Sequence, residues 1–269
     1  MSKTNHLNTD WRKVASTIYR KPLDSKIYGS VEVDITDLEK YIAHKRKDGI
    51  KITLTHILTL ILGRAFRSEV PELNAYIRRG KVIRRKQVDA MVSVLQANEQ
   101  MGSVKIENTD TLSVEEIGIV LNEKIQQSRK GEKNETLQNK NLLAKIPWPF
   151  RVWFFQLYKF YTINMGLSIP FTSLNSNSFG SYIISNIGSI GLDQGYGALL
   201  PSGNVSLVLI IGGVKKKPVV IDEQIVIRSI LSLSVTLDHR VVDASHGGKL
   251  FRYIKYMVKN PGLLEKSVE

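Results

Sequence analysis

Few side chains in this sequence can do acid–base chemistry near neutral pH. The chain has five histidines and no cysteine. An imidazole titrates near pH 6.5, so it is the natural group to take a proton from a thiol or hydroxyl. His6 lies in an N-terminal stretch without periodicity, and His44 on the polar side of a charged helix. His56 and His246 stand at helix starts, where capping or packing is the simpler role. His239 differs in context. It ends the strand-like run LSLSVTLDHR, with Asp243 four residues on, and strand ends are where a rigid scaffold presents reactive groups. A second segment, Ser178 to Gly191 (SFGSYIISNIGSIG), reads as a strand entering a glycine-rich turn. It puts Ser185 where the backbone bends and a ligand can approach. On residue type alone both positions keep a second reading. His239 is equally a strand-end histidine bonded to its neighbours, and Ser185 a turn-capping hydroxyl. The lack of cysteine excludes disulfides, thiolate metal sites and a cysteine nucleophile.

The elements that must position these groups follow from periodicity. A short helix is expected over Asp10 to Arg20, ended before Pro22, then a half-buried strand over Ile27 to Ile35. Thr36 and Glu39 form a capping-box pattern opening a helix to about Lys47. Thr55 caps an apolar helix to about Phe66, and Val88 to Leu95 reads as a buried strand. Ser113 and Glu116 repeat the capping box and open a helix to about Arg129. After the polar stretch 129–141 comes Ile146 to Tyr161, with eight aromatics between Trp148 and Tyr161. Strands are expected at Ser181 to Ile187, Val205 to Gly213, Val219 to Ile221 and Ile225 to Leu237, and a last amphipathic helix at about Ser245 to Lys259. Without an internal repeat or a domain-sized linker, one α+β domain over 1–269 is expected, with an aromatic-rich insert at about 141–178.

The run from Leu231 to Glu265 resembles the end of the catalytic domain of the dihydrolipoyl acyltransferases of 2-oxo acid dehydrogenase complexes, a family that shares the chloramphenicol acetyltransferase fold. The family motif DHRxxDG corresponds to Asp238-His239-Arg240-Val241-Val242-Asp243-Ala244, and YIISNIGSIG resembles its TISNLG stretch. WRKVAS at 11–16, VEVDITDLEK at 31–40, VPELNAYI at 70–77 and TLSVEEIG at 111–118 extend the resemblance over nearly the whole chain. It implies a chloramphenicol acetyltransferase-like mixed sheet with helices on one face. It also implies acyl transfer between coenzyme A and a dihydrolipoyl-type thiol or other small acceptor. His239 would be the general base, Ser185 the oxyanion donor, and Asp243 a support in a buried charge pair with Arg12. Asp238 and Asn186, inside the two motifs, are further supporting residues. Sites between subunits of a trimer are implied, and so is a separate lipoylated protein or other dehydrogenase components as partners. Neither a metal nor a lipoyl group attached to this chain is expected.

The sequence departs from the family in four places. It carries no lipoyl domain, partner-binding domain or Ala/Pro linker, so a free-standing catalytic domain is expected. The usual NGLVTPVI run is replaced by residues 98–106, NEQMGSVKI, and the motif glycine is Ala244. The stretch at about 141–178 is longer than usual. These changes leave an alternative, an inactive trimeric scaffold.

Three readings stand for the aromatic insert: a helix on the protein's own core, a subunit contact or channel wall, or a basic amphipathic segment on a membrane surface. The formal charge is +13. It suits an anionic partner, and the resemblance makes that the phosphates of coenzyme A. Two basic runs, Arg78 to Lys86 and Lys215 to Lys217, are candidates, each read first as solvated loop surface. Nucleic acid is not expected, since no recognition motif accompanies the charge. Without a signal-like N-terminus or a run of 18 apolar residues, the expected location is cytoplasmic.

Overall fold

A computed structural model describes residues 24–95, 101–130, 146–147, 149–169, 177–200 and 203–266. The helix expected over residues 10–20, and Arg12 within it, lie outside these. Among the described residues, six strands form one mixed sheet in the order β1-β8-β7-β6-β4-β5. They are β1 (Lys26–Asp34), β4 (Ala90–Leu95), β5 (Met101–Ile106), β6 (Tyr182–Asn186), β7 (Leu207–Ile221) and β8 (Gln224–Asp238). The β4–β6 and β6–β7 pairs are parallel and the rest antiparallel. A separate hairpin joins β2 (Ala75–Arg78) to β3 (Lys81–Arg84). The helices are α1 (Thr36–Lys47), α2 (Leu54–Arg64), α3 (Val114–Arg129), α4 (Phe150–Lys159) and α5 (Ala244–Lys259).

The main core lies between the sheet and four of these helices, α1, α2, α3 and α5, on one face, as expected for an α+β chain of this pattern. Strand alternation drives it: Leu231, Leu233, Val235 and Leu237 of β8 enter this core, while Ser232, Ser234 and Thr236 turn to the other face. In α5 the buried set is Gly247, Leu250, Phe251, Ile254, Met257 and Val258, the spacing of one helix stripe. Residues of α2 from His56 to Arg64 are all buried. A smaller cluster of Met91, Ile183, Val205, Val208 and Ile210 covers part of the helix-free face.

Several expectations are corrected. Thr36 does not build a capping box with Glu39. Thr36 is already inside the helix, behind the N-cap Ile35; its Oγ1 donates to Asp34 Oδ1 at 2.7 Å and accepts from the Ser229 N–H instead. The cap of α2 is Thr53 rather than Thr55, and the Thr53 N–H donates to His56 Nδ1 at 3.2 Å. The expected strands at 205–213 and 219–221 are one strand, β7, which follows β8 past an irregularity between Ile211 and Val214. The basic run 78–86 includes a hairpin turn, in which Arg79 and Gly80 take positive φ (50° and 72°), as a two-residue connection requires. The Ser113–Glu116 box forms as expected.

The aromatic segment is a helix that turns one side inward and leaves most of its large apolar residues outside the core. Phe150, Trp153, Phe154, Leu157, Phe160 and Tyr161 are all exposed, Trp153 by 61%.

Two buried contacts fix where β4 and β6 start. Tyr182 is fully buried and its hydroxyl donates to the Thr59 carbonyl of α2 at 2.6 Å. Asp89, also fully buried, accepts from Gln87, from the Asn108 N–H, from Asn177 and from Lys105 at 3.0 Å. Burial pushes its carboxyl up, but the bonds from Gln87, Lys105 and Asn108 outweigh this and hold it below its ordinary value.

A depressed carboxylate stabilises the fold above its unfolded pKa of about 3.9, and that stability is lost as pH falls through the lower folded value. Asp89→Asn is therefore expected to cost about 1–3 kcal/mol at pH 7 and progressively less below pH ~4, read by urea unfolding at both ends. Gly63 of α2 faces the Thr109 backbone, where an added Cβ would meet the carbonyl at 2.6 Å. Helix propensity favours Gly63→Ala by about 1 kcal/mol. The clash is with backbone and wins, so the variant should unfold at lower denaturant, by about 1–3 kcal/mol.

Candidate active site

The loop after β8 is built by Asp238. Its carbonyl accepts from the N–H groups of Val241 and Val242, closing a tight turn. Its carboxylate, nearly buried, receives the Arg240 N–H at 3.0 Å and the Arg240 guanidinium at both oxygens, at 2.9 and 2.6 Å. That fork geometry stiffens the turn. His239 stands at its crest, with its backbone N–H tied to the Ser25 carbonyl at 2.7 Å and its ring half-exposed.

The ring's orientation determines its chemistry. Nδ1 lies 3.1 Å from the Val242 carbonyl and 3.3 Å from Asp243 Oδ1. Both neighbours only accept, so Nδ1 carries the hydrogen and Nε2 keeps the lone pair. The loop therefore presents Nε2 as a base. Asp243 itself is exposed (71%), and Arg12, the partner expected for it in a charge pair, lies outside the described residues. Asp243 is also the N-cap of α5, and its N–H donates to His246 Nδ1 at 3.0 Å. Ala244 is the first residue of that helix in ordinary helical conformation, so the missing motif glycine strains nothing.

Ser185 sits near the end of β6, partly exposed, two residues from Ile183 and so on the helix-free face. Among the described residues its hydroxyl has no hydrogen-bond partner. Asn186 holds the turn beyond it. Its Oδ1 accepts from the Ser189 N–H at 3.1 Å, its carbonyl accepts from Ser189 Oγ at 2.7 Å, and its Nδ2 donates to Thr55 Oγ1 at 3.1 Å. His56, beside Thr55, is buried, and desolvation pushes its pKa down to about 4, so it stays neutral.

The structure does not bring His239 and Ser185 together within one chain. Ser185 opposes Ile210, which opposes Ser234, and His239 lies five residues past Ser234. At about 3.3 Å per residue and about 4.8 Å between strands, the backbones are roughly 16 Å apart along the strand and 10 Å across, about 19 Å in all. The two groups occupy opposite ends of the central strands.

Of the basic runs, Lys215, Lys216 and Lys217 pair with Asp193, Glu39 and Glu32 and are largely neutralised. Arg85 is buried, stacks 4.7 Å from the Tyr76 ring centre and donates to the Asn204 carbonyl at 2.7 Å. Sequence reasoning missed three contributors. Arg240 was visible within the motif; the Val242 carbonyl and Thr55 act through contacts that only the folded backbone creates.

Comparison with known proteins bears on the fold and on the last third of the chain. Residues 173–265 match the family model for the 2-oxoacid dehydrogenases acyltransferase catalytic domain. The acetyltransferase component of the Acholeplasma laidlawii pyruvate dehydrogenase complex is 33% identical over 92 residues, 34% of this chain and 16% of that protein. Its Staphylococcus aureus counterpart is 40% identical over 81 residues, 30% of this chain and 18% of the relative. The matched segments thus span less than a fifth of these curated relatives. Among solved structures, a probable dihydrolipoamide acetyltransferase from Listeria monocytogenes superposes with a TM-score of 0.66 at 20% identity, covering 94% of this chain and 93% of the other. The Azotobacter vinelandii enzyme, studied for the roles of a serine, a histidine and an asparagine in its catalytic mechanism, gives 0.64 at 17% identity, covering 89% and 83%. The chain has the fold of these acetyltransferase structures and, over residues 173–265, matches the model of the 2-oxoacid dehydrogenases acyltransferase catalytic domain.

Proposed function

We propose that this protein moves an acyl group between coenzyme A and a dihydrolipoyl-type thiol, at sites formed where copies of the chain meet in a trimer. The observation that carries this reading is the 3.1 Å contact between His239 Nδ1 and the Val242 carbonyl, an acceptor that favours a hydrogen on Nδ1 and leaves Nε2 as the base. Nε2 takes the proton of the acceptor thiol, and the thiolate attacks the thioester carbonyl. The carbon–oxygen double bond opens to an oxyanion, which the Ser185 hydroxyl stabilises by donating a hydrogen bond. Collapse breaks the original carbon–sulfur bond, and the imidazolium returns its proton to the departing thiolate.

The roughly 19 Å between His239 and Ser185 within one chain supports a shared site, in which one copy gives the base and its neighbour the hydroxyl. In the Azotobacter enzyme the named asparagine follows the named histidine by four residues, the spacing of His239 and Asp243. The alternative of an inactive scaffold leaned partly on Ala244, and the ordinary helix start there removes that support. A lipoylated partner protein fits the same reading, as the source or acceptor of the acyl group.

With acetyl-coenzyme A and dihydrolipoamide as substrates and released coenzyme A quantified by chromatography, His239→Ala should lower turnover about 10²–10⁴-fold. Ser185→Ala should lower it about 10²–10³-fold, both without change in oligomer size by light scattering. Turnover unchanged in the intact His239→Ala oligomer would remove His239 from the mechanism.

A further inference from the structure

The helix α4 and the one-turn π segment that continues it (Phe160–Asn164) carry an apolar stripe that faces away from the protein. Phe150, Trp153, Phe154, Leu157, Phe160 and Tyr161 follow helical spacing, and each is between 41% and 61% exposed. The inward side is formed by Phe155 and Tyr158, half-buried, and by Thr162 and Ile163, buried. The segment is thus anchored from one side and greasy on the other, over about 22 Å of length. Exposure of six large side chains in a row is costly unless something covers them.

What covers them is indicated by the neighbour. The β2–β3 hairpin packs directly against the end of this segment. The Arg79 N–H donates to the Asn164 carbonyl at 3.0 Å, and Gly166 lies so close to the Arg78 stem that a Cβ there would fall 2.1 Å from Cδ. The hairpin exposes Arg79, Lys81, Arg84 and Lys86, with Val82 also exposed at 56%. Among the described residues none of these four cations has an ion-pair partner, whereas all three lysines of the 215–217 run do. One contiguous surface therefore joins a bulky apolar stripe to unneutralised positive charge.

We infer that this surface docks on a bilayer containing anionic lipid, with the α4 stripe entering the headgroup–acyl boundary and the hairpin cations meeting lipid phosphates. Aromatic rings suit that depth, and arginine and lysine suit the charged plane just above it. A second copy docking by the same patch is a poorer fit, because a two-fold contact would bring the same unneutralised cations together, and a contact through a different patch is read out below as a change in assembly size. Single-stranded nucleic acid would use the charge and some rings, but leaves Leu157 and Val82 without a role.

The test uses the full chain and vesicles of phosphatidylcholine with or without phosphatidylglycerol. Co-sedimentation is expected with the anionic vesicles and not with the neutral ones, weakening as salt rises. Two surface variants separate the contributions: Trp153→Ser with Leu157→Ser and Phe160→Ser, and Arg79→Glu with Lys81→Glu and Arg84→Glu. Each should lose pelleting by about tenfold or more while the circular dichroism spectrum and the oligomer size by light scattering stay those of the wild type. Equal pelleting with both vesicle types, or unchanged pelleting of either variant, overturns the proposal. So does a wild-type assembly that ignores vesicles but shrinks when the apolar stripe is replaced, which would make the surface a contact between copies. Retention on single-stranded RNA in place of vesicles overturns it as well.

Discussion

The pairing register of β6, β7 and β8 is the constraint on which the rest of the molecule depends. Because β6 runs parallel to β7 and β7 antiparallel to β8, the end of β6 and the end of β8 point to opposite edges of the sheet. Ser185 is the next-to-last residue of β6 and His239 the first residue past β8, so the ladder separates them. No side-chain rotation bridges the roughly 19 Å between their backbones. A one-residue slip would also move Leu231, Leu233, Val235 and Leu237 out of the core, which pins the register by the burial of that whole set. The same hydrophobic pattern that folds the chain therefore dictates that catalysis, if it uses both groups, needs two copies.

Within that frame, each end of the sheet is finished by polar contacts rather than by packing. At the β8 end, the Asp238–Arg240 fork and two backbone bonds make a rigid turn, and the next carbonyl sets the tautomer of His239. At the β6 end, Asn186 ties the glycine-rich turn to Thr55 at the start of α2. At the opposite margin of β6, Gly180 takes a φ of +72° against the Asp89 backbone, an approach that any Cβ would block. These are short-range, directional devices, and they hold reactive groups more tightly than apolar contacts alone would.

Much of this was legible in the residues. The strand alternation of β1 and β8 and the α5 stripe stand at or near their expected places because burial periodicity is a strong local signal. His239 and Ser185 were singled out by strand-end context and then by resemblance, and the structure supplies the loop that orients the first. Illegible features depend on distant partners. Thr36 caps nothing because its hydroxyl oxygen accepts from the Ser229 N–H of β8. The 78–86 run carried too few apolar residues to announce a hairpin, and β5 begins beside a polar stretch. The aromatic helix defeated expectation most clearly, since composition favours burial for Phe and Trp, while the fold leaves one side of the helix without a neighbour.

The central claim is that base and hydroxyl act together only across a contact between copies. Refolding a mixture of His239→Ala chains and Ser185→Ala chains tests it directly. Each variant alone has no complete site. In mixed assemblies roughly a quarter of the contacts pair an intact His239 with an intact Ser185. The account predicts that acyl transfer between acetyl-coenzyme A and dihydrolipoamide returns to about that fraction of the wild-type rate on mixing. No recovery, with mixed assemblies verified by mass, would contradict it.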